Sequence, residues 1–180
     1  MNAAARLSPI LIRKATEQDV PRLVEMNHAA YPELVEEGVV WSASQLHAHL
    51  ARFPEGQVVA EVGGDVKGAI STFIVPASRD PMAQHTWLDI TDHGTFASHD
   101  ARGDTLYLAD VYVDPSARGT GVGYELIRRS LESLVRHGCK KVTLTVTSAN
   151  TEAIALYERM GFRKTRNFSA YVWEGFGPGA

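Results

Sequence analysis

A glycine-rich run between an apolar stretch and an amphipathic one is the part of the sequence best suited to hold a ligand. It consists of Arg118, Gly119, Thr120, Gly121, Val122 and Gly123. Alternating glycines let the backbone approach a ligand with its N–H groups turned inward, and the start of a following helix adds partial positive charge. The run therefore predicts a site for an anion such as a pyrophosphate, with an arginine beside it.

The spacing of this run excludes two common nucleotide sites. A Walker A loop requires Lys and then Ser or Thr after the last glycine, whereas Tyr124 and Glu125 follow Gly123. A Rossmann site requires G-x-G-x-x-G and an acidic residue about twenty positions later, but residues 141–147 contain no acid. A diphosphate loop of another class remains, and a glycine-rich helix entry without a ligand is the alternative.

Two other sets of residues have less favourable spacing for chemistry. Four residues of the segment 76–104 could bind a metal: His85, Asp89, His93 and His99. They match no compact metal motif, so no metal is expected. Cys139 follows Gly138 at the predicted end of a helix, where a thiolate is disfavoured, and it is expected to be structural.

Length and composition indicate one domain over residues 1–180. The chain is 44% hydrophobic with a net charge of −3, which gives no general attraction to nucleic acid or to an anionic membrane. A single cysteine and no signal-peptide pattern favour the cytoplasm. Residues 17–65 hold nine acids and two arginines, whereas residues 114–141 hold six basic and three acidic residues. An anionic cofactor on the basic side and a cationic co-substrate on the acidic side would suit this asymmetry.

Strand and helix patterns alternate along the chain and would position these residues. Short apolar or alternating runs predict strands at 10–14, 57–62, 66–75, 106–113, 141–147, 162–165 and 170–173. Helical spacing and capping sequences predict helices that end at Ala30 and cover 43–52, 124–137 and 151–160. Residues 33–41 are predicted to be a mobile or substrate-facing loop. The polar segment 76–104 is too long for an ordinary connection and is interpreted as an insertion, and residues 175–180 as a flexible tail.

Two motifs in this order resemble the GCN5-related N-acetyltransferase family. The first is the glycine run after a strand that ends at Val113, and the second extends from Asn150 to Phe162 and includes Tyr157. The similarity covers about residues 106–165. It implies an α/β (α+β) fold with a central, mixed but mostly antiparallel sheet of about six or seven strands. About four helices would flank that sheet, which would be splayed after its fourth strand to admit coenzyme A. Segments of the insertion also resemble a subgroup of these acetyltransferases that is joined to carbon-nitrogen hydrolase domains.

The resemblance implies acetyl-CoA as the donor and assigns cofactor-binding residues. The glycine run would wrap the CoA pyrophosphate. Backbone groups of Val111 and Val113, on either side of Tyr112, would pair with the pantetheine arm like an added strand. Asn150 would hydrogen-bond to the same arm.

By the same resemblance, Tyr157 would protonate the departing CoA thiolate. A phenol packed beside Leu156 and Phe162 without a catalytic role is the alternative.

Asp110 is the candidate general base, because it is the only charged residue in the apolar stretch 106–113. Burial raises the pKa of a carboxyl toward a useful range for taking a proton from an ammonium group. A carboxylate satisfied by backbone or by a neighbouring arginine is the alternative, and Tyr112 is a weaker candidate base. The backbone N–H of Val111 is the expected donor to the oxyanion.

The predicted function is therefore direct acetyl transfer from acetyl-CoA to a primary amine in a ternary complex. A non-catalytic acyl-CoA-binding regulatory module is the alternative. The acidic half of the chain suggests a polyamine, an aminoglycoside or a peptide amine as acceptor, and the insertion is expected to shape its pocket. No nucleic-acid or membrane partner is expected, and a homodimer is left open.

Overall fold

The computed structural model describes residues 8–81, 83, 85–136, 138–146, 150–165 and 170–173, with the backbone alone for residues 133, 134 and 170–173. The predicted ends of a helix at His137 and of a strand at Thr147, and the tail 175–180, lie outside the described residues.

A seven-stranded sheet forms the centre of the described structure. Its strands are β1 (Ile10–Lys14), β2 (Gln57–Val62), β3 (Asp65–Val75), β4 (Thr105–Val113), β5 (Lys141–Thr145), β6 (Arg163–Lys164) and β7 (Ala170–Trp173). Their order is β1-β2-β3-β4-β5-β7-β6. The β4 and β5 strands are parallel, and the other neighbours are antiparallel. The predicted mixed, mostly antiparallel sheet is confirmed.

Four longer helices and two short ones flank this sheet. They are α1 (Val20–Ala30), α2 (Pro32–Val35), α3 (Ala43–Arg52), α4 (Trp87–Ile90), α5 (Val122–Arg136) and α6 (Thr151–Arg159). The predicted capping box starts α3, because the Ser42 side chain accepts from the backbone N of Gln45 at 3.2 Å and the Gln45 side chain accepts from the backbone N of Ser42 at 3.0 Å. Within the described ranges, no helix is both long and apolar enough to cross a membrane.

Two helical details differ from the sequence prediction. The segment 33–41 is not wholly a loop, because α2 begins at Pro32, a residue whose fixed φ suits the first turn of a helix. The α5 helix begins at Val122 rather than at Tyr124. Gly121 has φ 85° and its carbonyl accepts from Glu125 N at 3.0 Å, so Val122 already belongs to the first turn.

The two faces of the sheet carry separate apolar cores. In β3, Ile70 and Ile74 pack with α5, whereas Ala69 and Phe73 pack with α1 and α3. This alternation follows from the period of two in a strand. The segment 76–104 adds Ile90 and Phe96 to the α1/α3 core, so it is packed against the sheet.

The sheet opens between β4 and β5. Only Thr105 to Tyr107 of β4 pair with β5, and further along β4 the described pairing is with β3 alone. In that pairing Ser71 lies opposite Asp110 and the next residue, Thr72, lies opposite Leu108, so Ala109 forms a bulge. This opening is the splay expected after the fourth strand, and the bulge lies beside Asp110.

Candidate active site

A cavity of about 580 Å³ occupies the opening between β4 and β5. The segment around α2, the insertion and the two strands each contribute to its wall. The lining residues are Tyr31, Leu34, Val39, Thr86, Trp87, Leu88, Ala109, Asp110, Thr145 and Val146. A volume of this size is typical of small-molecule sites. The insertion therefore forms one wall of the cavity.

Two polar side chains of the α1 region hold the Asp110 carboxylate. Asn27 Nδ2 donates to Asp110 Oδ2 at 2.9 Å, and Asn27 Oδ1 accepts from Trp41 N at 2.8 Å. The Tyr31 hydroxyl lies 3.0 Å from Asp110 Oδ1 and 2.9 Å from the Val111 carbonyl. Because Asn27 is only 1% exposed, its amide fixes the carboxylate in one orientation.

The surroundings of Asp110 raise its pKa to about 6. Burial is the dominant cause, since it disfavours the charged form, and hydrogen bonds from Tyr31 and Asn27 oppose it. The carboxylate is nevertheless reached from the cavity, whose wall it helps to form. A carboxyl with this pKa is ionised at neutral pH and basic enough to take up a proton.

The phenol of Tyr157 is coupled electrostatically to Asp110. Tyr157 is 8% exposed and packs against Phe162, with 5.5 Å between ring centroids. Burial and then the charge of Asp110 raise its pKa well above the usual range. Tyr157 therefore stays protonated and can act as a proton donor. It belongs to the α5/α6 core, whereas the partners of Asp110 lie on the α1 side, so the opening in the sheet brings the two groups within each other's field.

The open edge of β4 carries backbone groups next to the cavity. On the side toward β3, Asp114 N donates to the Lys67 carbonyl at 2.8 Å. Residues two apart in a strand point their backbone groups the same way, so Tyr112 shares the direction of Asp114 toward β3. The backbone groups of Val111 and Val113 therefore face the open edge. Trp87 Nε1 donates to the carbonyl of the bulged Ala109 at 2.9 Å. The insertion thus contacts this edge directly.

The glycine run is exposed from Arg118 to Gly121 and continues into the first turn of α5 at Val122. Gly119 has φ 75° and Gly121 has φ 85°, and no atom lies within 4 Å of where a Cβ would project at either position. Such backbone conformations favour glycine, and the open space leaves room for a ligand against the backbone. Arg118 Nη2 donates to the Ala30 carbonyl at 3.2 Å, which ties the loop to the end of α1.

Asn150 and Tyr112 lie in different settings from the residues above. Asn150 is exposed and caps α6, with Oδ1 accepting from Ala153 N at 3.2 Å. Its contact with a cofactor stays a prediction. Tyr112 is 2% exposed and packs in the α1/α3 core, where burial, followed by the charge of Asp110, raises the pKa of its phenol. That environment argues against Tyr112 as a base.

The histidines of the insertion hold its structure. His85 Nε2 lies 3.0 Å from the Tyr107 hydroxyl, and His99 Nδ1 accepts from Ile74 N at 3.0 Å. Among the residues that the structure describes, no group of three or more His, Cys, Asp or Glu is arranged to hold a metal ion. Cys139 is 3% exposed and burial raises the pKa of its thiol, in agreement with a structural role.

Sequence reasoning did not identify the side chains that hold Asp110 and the bulge. Asn27 is 83 positions from Asp110 and Trp87 is 22 positions from Ala109. Tyr31 follows the predicted helix end at Ala30, and no local pattern marks it as a partner of Asp110. Asn27 lies on the face of α1 that is otherwise apolar. An asparagine in such a position is a signal that could have been used, because a buried amide requires polar partners.

Four of the nine acids in the stretch 17–65 form ion pairs, and none of these four lines the cavity. Arg13 contacts Asp19 at 2.8 Å and Glu61 at 2.9 Å, and Glu17 contacts His47. Arg22 lies 3.4 Å from Glu25. Of the residues that line the cavity, only Asp110 is acidic. The acid of the described cavity wall therefore lies outside the stretch 17–65.

A family model provides an independent comparison. The model described as the Acetyltransferase (GNAT) family matches residues 20–162. This range includes α1, the insertion, β4 with Asp110, the glycine loop and Tyr157.

Two curated bacterial proteins are similar over most of the chain. An uncharacterized N-acetyltransferase of Bacillus subtilis, YkwB, is 33% identical over 130 residues, which are 72% of this chain and 57% of that protein. A probable hydrolase of the same organism, YhcX, is 28% identical over 135 residues, which are 75% of this chain and 25% of that protein. The chain thus spans less than two thirds of the length of these relatives.

Solved structures share the fold at low sequence identity. An N-acetyltransferase from Thermoplasma acidophilum in complex with coenzyme A has a TM-score of 0.67 at 15% identity, over 91% of this chain and 96% of that one. An acetyltransferase from Brucella melitensis in complex with acetyl-CoA has a TM-score of 0.58 at 22% identity, over 95% and 90%. At these identities the similarity establishes the architecture.

Proposed function

The chain belongs to the GNAT family of acetyltransferases, and from that membership we propose that it transfers an acetyl group from acetyl-CoA to a primary amine. The amine attacks directly in a ternary complex, without a covalent enzyme intermediate. The observation that carries this proposal is the pairing, across the opened sheet, of a basic carboxylate with a neutral phenol: Asp110 has a pKa of about 6, and Tyr157 stays protonated. Burial raises both pKa values, which leaves a carboxylate that can accept a proton and a phenol that holds one at neutral pH.

Acetyl-CoA supplies the activated acetyl group, and the residues present suit its binding. The exposed residues Arg118, Gly119, Thr120 and Gly121, followed by Val122 and Gly123 in the first turn of α5, offer backbone N–H groups and an arginine to the pyrophosphate. On the open edge of β4, the backbone groups of Val111 and Val113, on either side of Tyr112, face away from β3 and are the proposed partners of the pantetheine arm, although the Val111 carbonyl also lies 2.9 Å from the Tyr31 hydroxyl. Asn150, at the start of α6, is the proposed further contact. The solved relatives that hold CoA or acetyl-CoA support this placement by their shared fold.

Three groups of the chain would carry the chemistry. Asp110 accepts a proton from the ammonium form of the acceptor, so that a neutral amine can attack. The Val111 N–H, on the open edge of β4, donates to the oxygen that gains negative charge. Tyr157 donates its proton to the departing thiolate. Asn27 and Tyr31 position the base.

We also propose a relationship to the acetyltransferases joined to carbon-nitrogen hydrolase domains. Its support is the sequence of the insertion and the similarity to a probable hydrolase, of which this chain covers 25%. That similarity names no acceptor. The buried free thiol of Cys139 supports a reducing, cytoplasmic location.

The experiment that tests the function measures release of free CoA thiol from acetyl-CoA across a panel of primary amines, with the acetylated amine identified by mass spectrometry. Binding of acetyl-CoA is measured on the same sample by calorimetry. Turnover with at least one amine is expected. Tight binding of acetyl-CoA without turnover on any amine would instead indicate a non-catalytic acyl-CoA-binding module.

A further inference from the structure

We propose that the acceptor is a primary amine that carries one positive charge on an apolar body, an inference that rests on the proposed function. It concerns the acceptor side of the cavity, formed by the segment around α2 and by the insertion. The wall there combines a single carboxylate with apolar side chains.

The number of carboxylates sets the number of ammonium groups that the cavity can accept. Asp110 is the only charged residue of the described cavity wall, and its carboxylate already accepts hydrogen bonds from Asn27 and Tyr31. One ammonium group can be neutralised there. A second cationic group within the cavity would lose its water without gaining an anionic partner, which is costly. The wall therefore selects against polycations.

The rest of the acceptor side is mostly apolar, because the hydroxyls of Tyr31 and Thr86 are already engaged with Asp110 and with Asp89 N. Leu34 and Val39 lie on the α2 side, Leu88 on the insertion and Val146 beyond β5. Trp87 has its one polar atom engaged by the Ala109 carbonyl, so its remaining surface is apolar. Leu88 is 38% exposed, which leaves an apolar side chain at the rim of the cavity. Such a wall stabilises hydrocarbon or aromatic groups by removing them from water.

The acids that favoured a polyamine or an aminoglycoside in the sequence lie elsewhere. Asp19 and Glu61 pair with Arg13 near the β1 edge of the sheet, and Glu17 pairs with His47. Glu33 on α2 and Glu36 just after it are exposed to solvent and are not part of the cavity wall. The composition of the wall thus replaces the overall charge as the guide to the acceptor.

The sharpest test compares two amines that differ by one ammonium group. We expect hexylamine to have a kcat/KM at least about tenfold higher than that of 1,6-diaminohexane, after correction for the two equivalent amines of the diamine. Aromatic 2-phenylethylamine should also be acetylated. Spermidine should be a poorer acceptor than either monoamine.

A charge variant locates the preference in the cavity. Leu88→Glu adds a second carboxylate to the wall. It should lower the ratio of kcat/KM for hexylamine to kcat/KM for 1,6-diaminohexane by about tenfold. Leu11→Glu is the matched control, because Leu11 is also an exposed leucine, 55% exposed, but lies on β1 at the far edge of the sheet. The control should leave the ratio unchanged.

The outcomes separate the inference from the proposed function. A diamine or spermidine that is acetylated as well as, or better than, hexylamine would overturn the inference and leave the acetyltransferase function intact. The inference would also be overturned if Leu88→Glu and Leu11→Glu changed the ratio of the two kcat/KM values equally. Absence of CoA release with every amine would instead count against the function itself.

Discussion

The side-chain amide of Asn27 donates to the carboxylate of Asp110 at 2.9 Å while its own oxygen accepts from Trp41 N at 2.8 Å. A buried helix residue thus links the candidate base on β4 to the segment that leads into α3. The hydrogen bond from Asn27 opposes the effect of burial and keeps the pKa of Asp110 from rising further. The basicity of the site therefore depends on α1 as well as on β4.

Asn27→Asp should raise the pKa of Asp110, because it replaces a hydrogen-bond donor by a like charge while keeping an acceptor for Trp41 N. In the plot of kcat/KM against pH, the acidic limb is the rise at low pH. The pKa of this limb is expected to increase by about one unit or more. Gln18→Glu, which adds the same charge at an exposed position before α1, is the control and should leave the limb in place. An unmoved limb in Asn27→Asp would mean that Asp110 does not set it.

Asp110→Asn should make the folded protein more stable at pH 8. The folded-state pKa of Asp110 lies above its unfolded value, so folding favours the protonated carboxyl. The stability that Asp110 contributes is therefore complete below about pH 4 and is lost as pH rises through about 6. The gain in the free energy of unfolding should therefore be small at pH 4 and reach up to about 3 kcal/mol above pH 7. Urea unfolding across this range measures it. Asp65→Asn, at an exposed carboxylate of the β2–β3 turn, controls for the lost charge, and an equal gain there would contradict the account.

Gly121→Ala should weaken acetyl-CoA binding and raise the KM for it by about tenfold, because the residue has φ 85° and lies in the proposed diphosphate loop. Gly64→Ala is a close control: Gly64 has φ 87°, equally open surroundings and a place in a distant hairpin. Both alanines should cost about 1 kcal/mol of stability. Equal KM values in the two variants would remove the loop from the cofactor site.

Local patterns accounted for most of the elements. The capping box at Ser42 predicted the start of α3, and short apolar runs predicted β2 and β3, because both signals act between neighbours in the chain. The resemblance to the family supplied the splay and the roles of the glycine loop and Tyr157. Asp110 was noticed because a single charge in an apolar strand is conspicuous.

The partners of the site could not be predicted in the same way. Tyr31 and Asp110 are 79 positions apart, and their contact depends on how α1 packs on β4. The bulge at Ala109 depends on a shift of register against β3, which no local pattern encodes. The charge composition of residues 17–65 does not show which acids face the cavity, because pairing such as that of Asp19 and Glu61 with Arg13 depends on the fold.

Tyr157→Phe should lower kcat by about 10²- to 10⁴-fold with little change in the KM for acetyl-CoA, because it removes only the proton donor to the thiolate. The phenylalanine keeps the packing against Phe162. Steady-state release of CoA thiol measures the effect. Tyr124→Phe, at an exposed tyrosine of α5, is the control, and an unchanged kcat in Tyr157→Phe would exclude the proposed acid role.

The pH dependence of kcat/KM for hexylamine, measured for the wild type and for Asp110→Asn, tests the central claim most directly. An alkylamine has a pKa near that of lysine, about 10. If Asp110 takes the proton from a bound ammonium, kcat/KM should rise through about pH 6 and then stay level until about pH 9. In Asp110→Asn only free amine can react, so kcat/KM should climb about tenfold per pH unit up to about pH 9. The same continuous climb in the wild type would contradict the account.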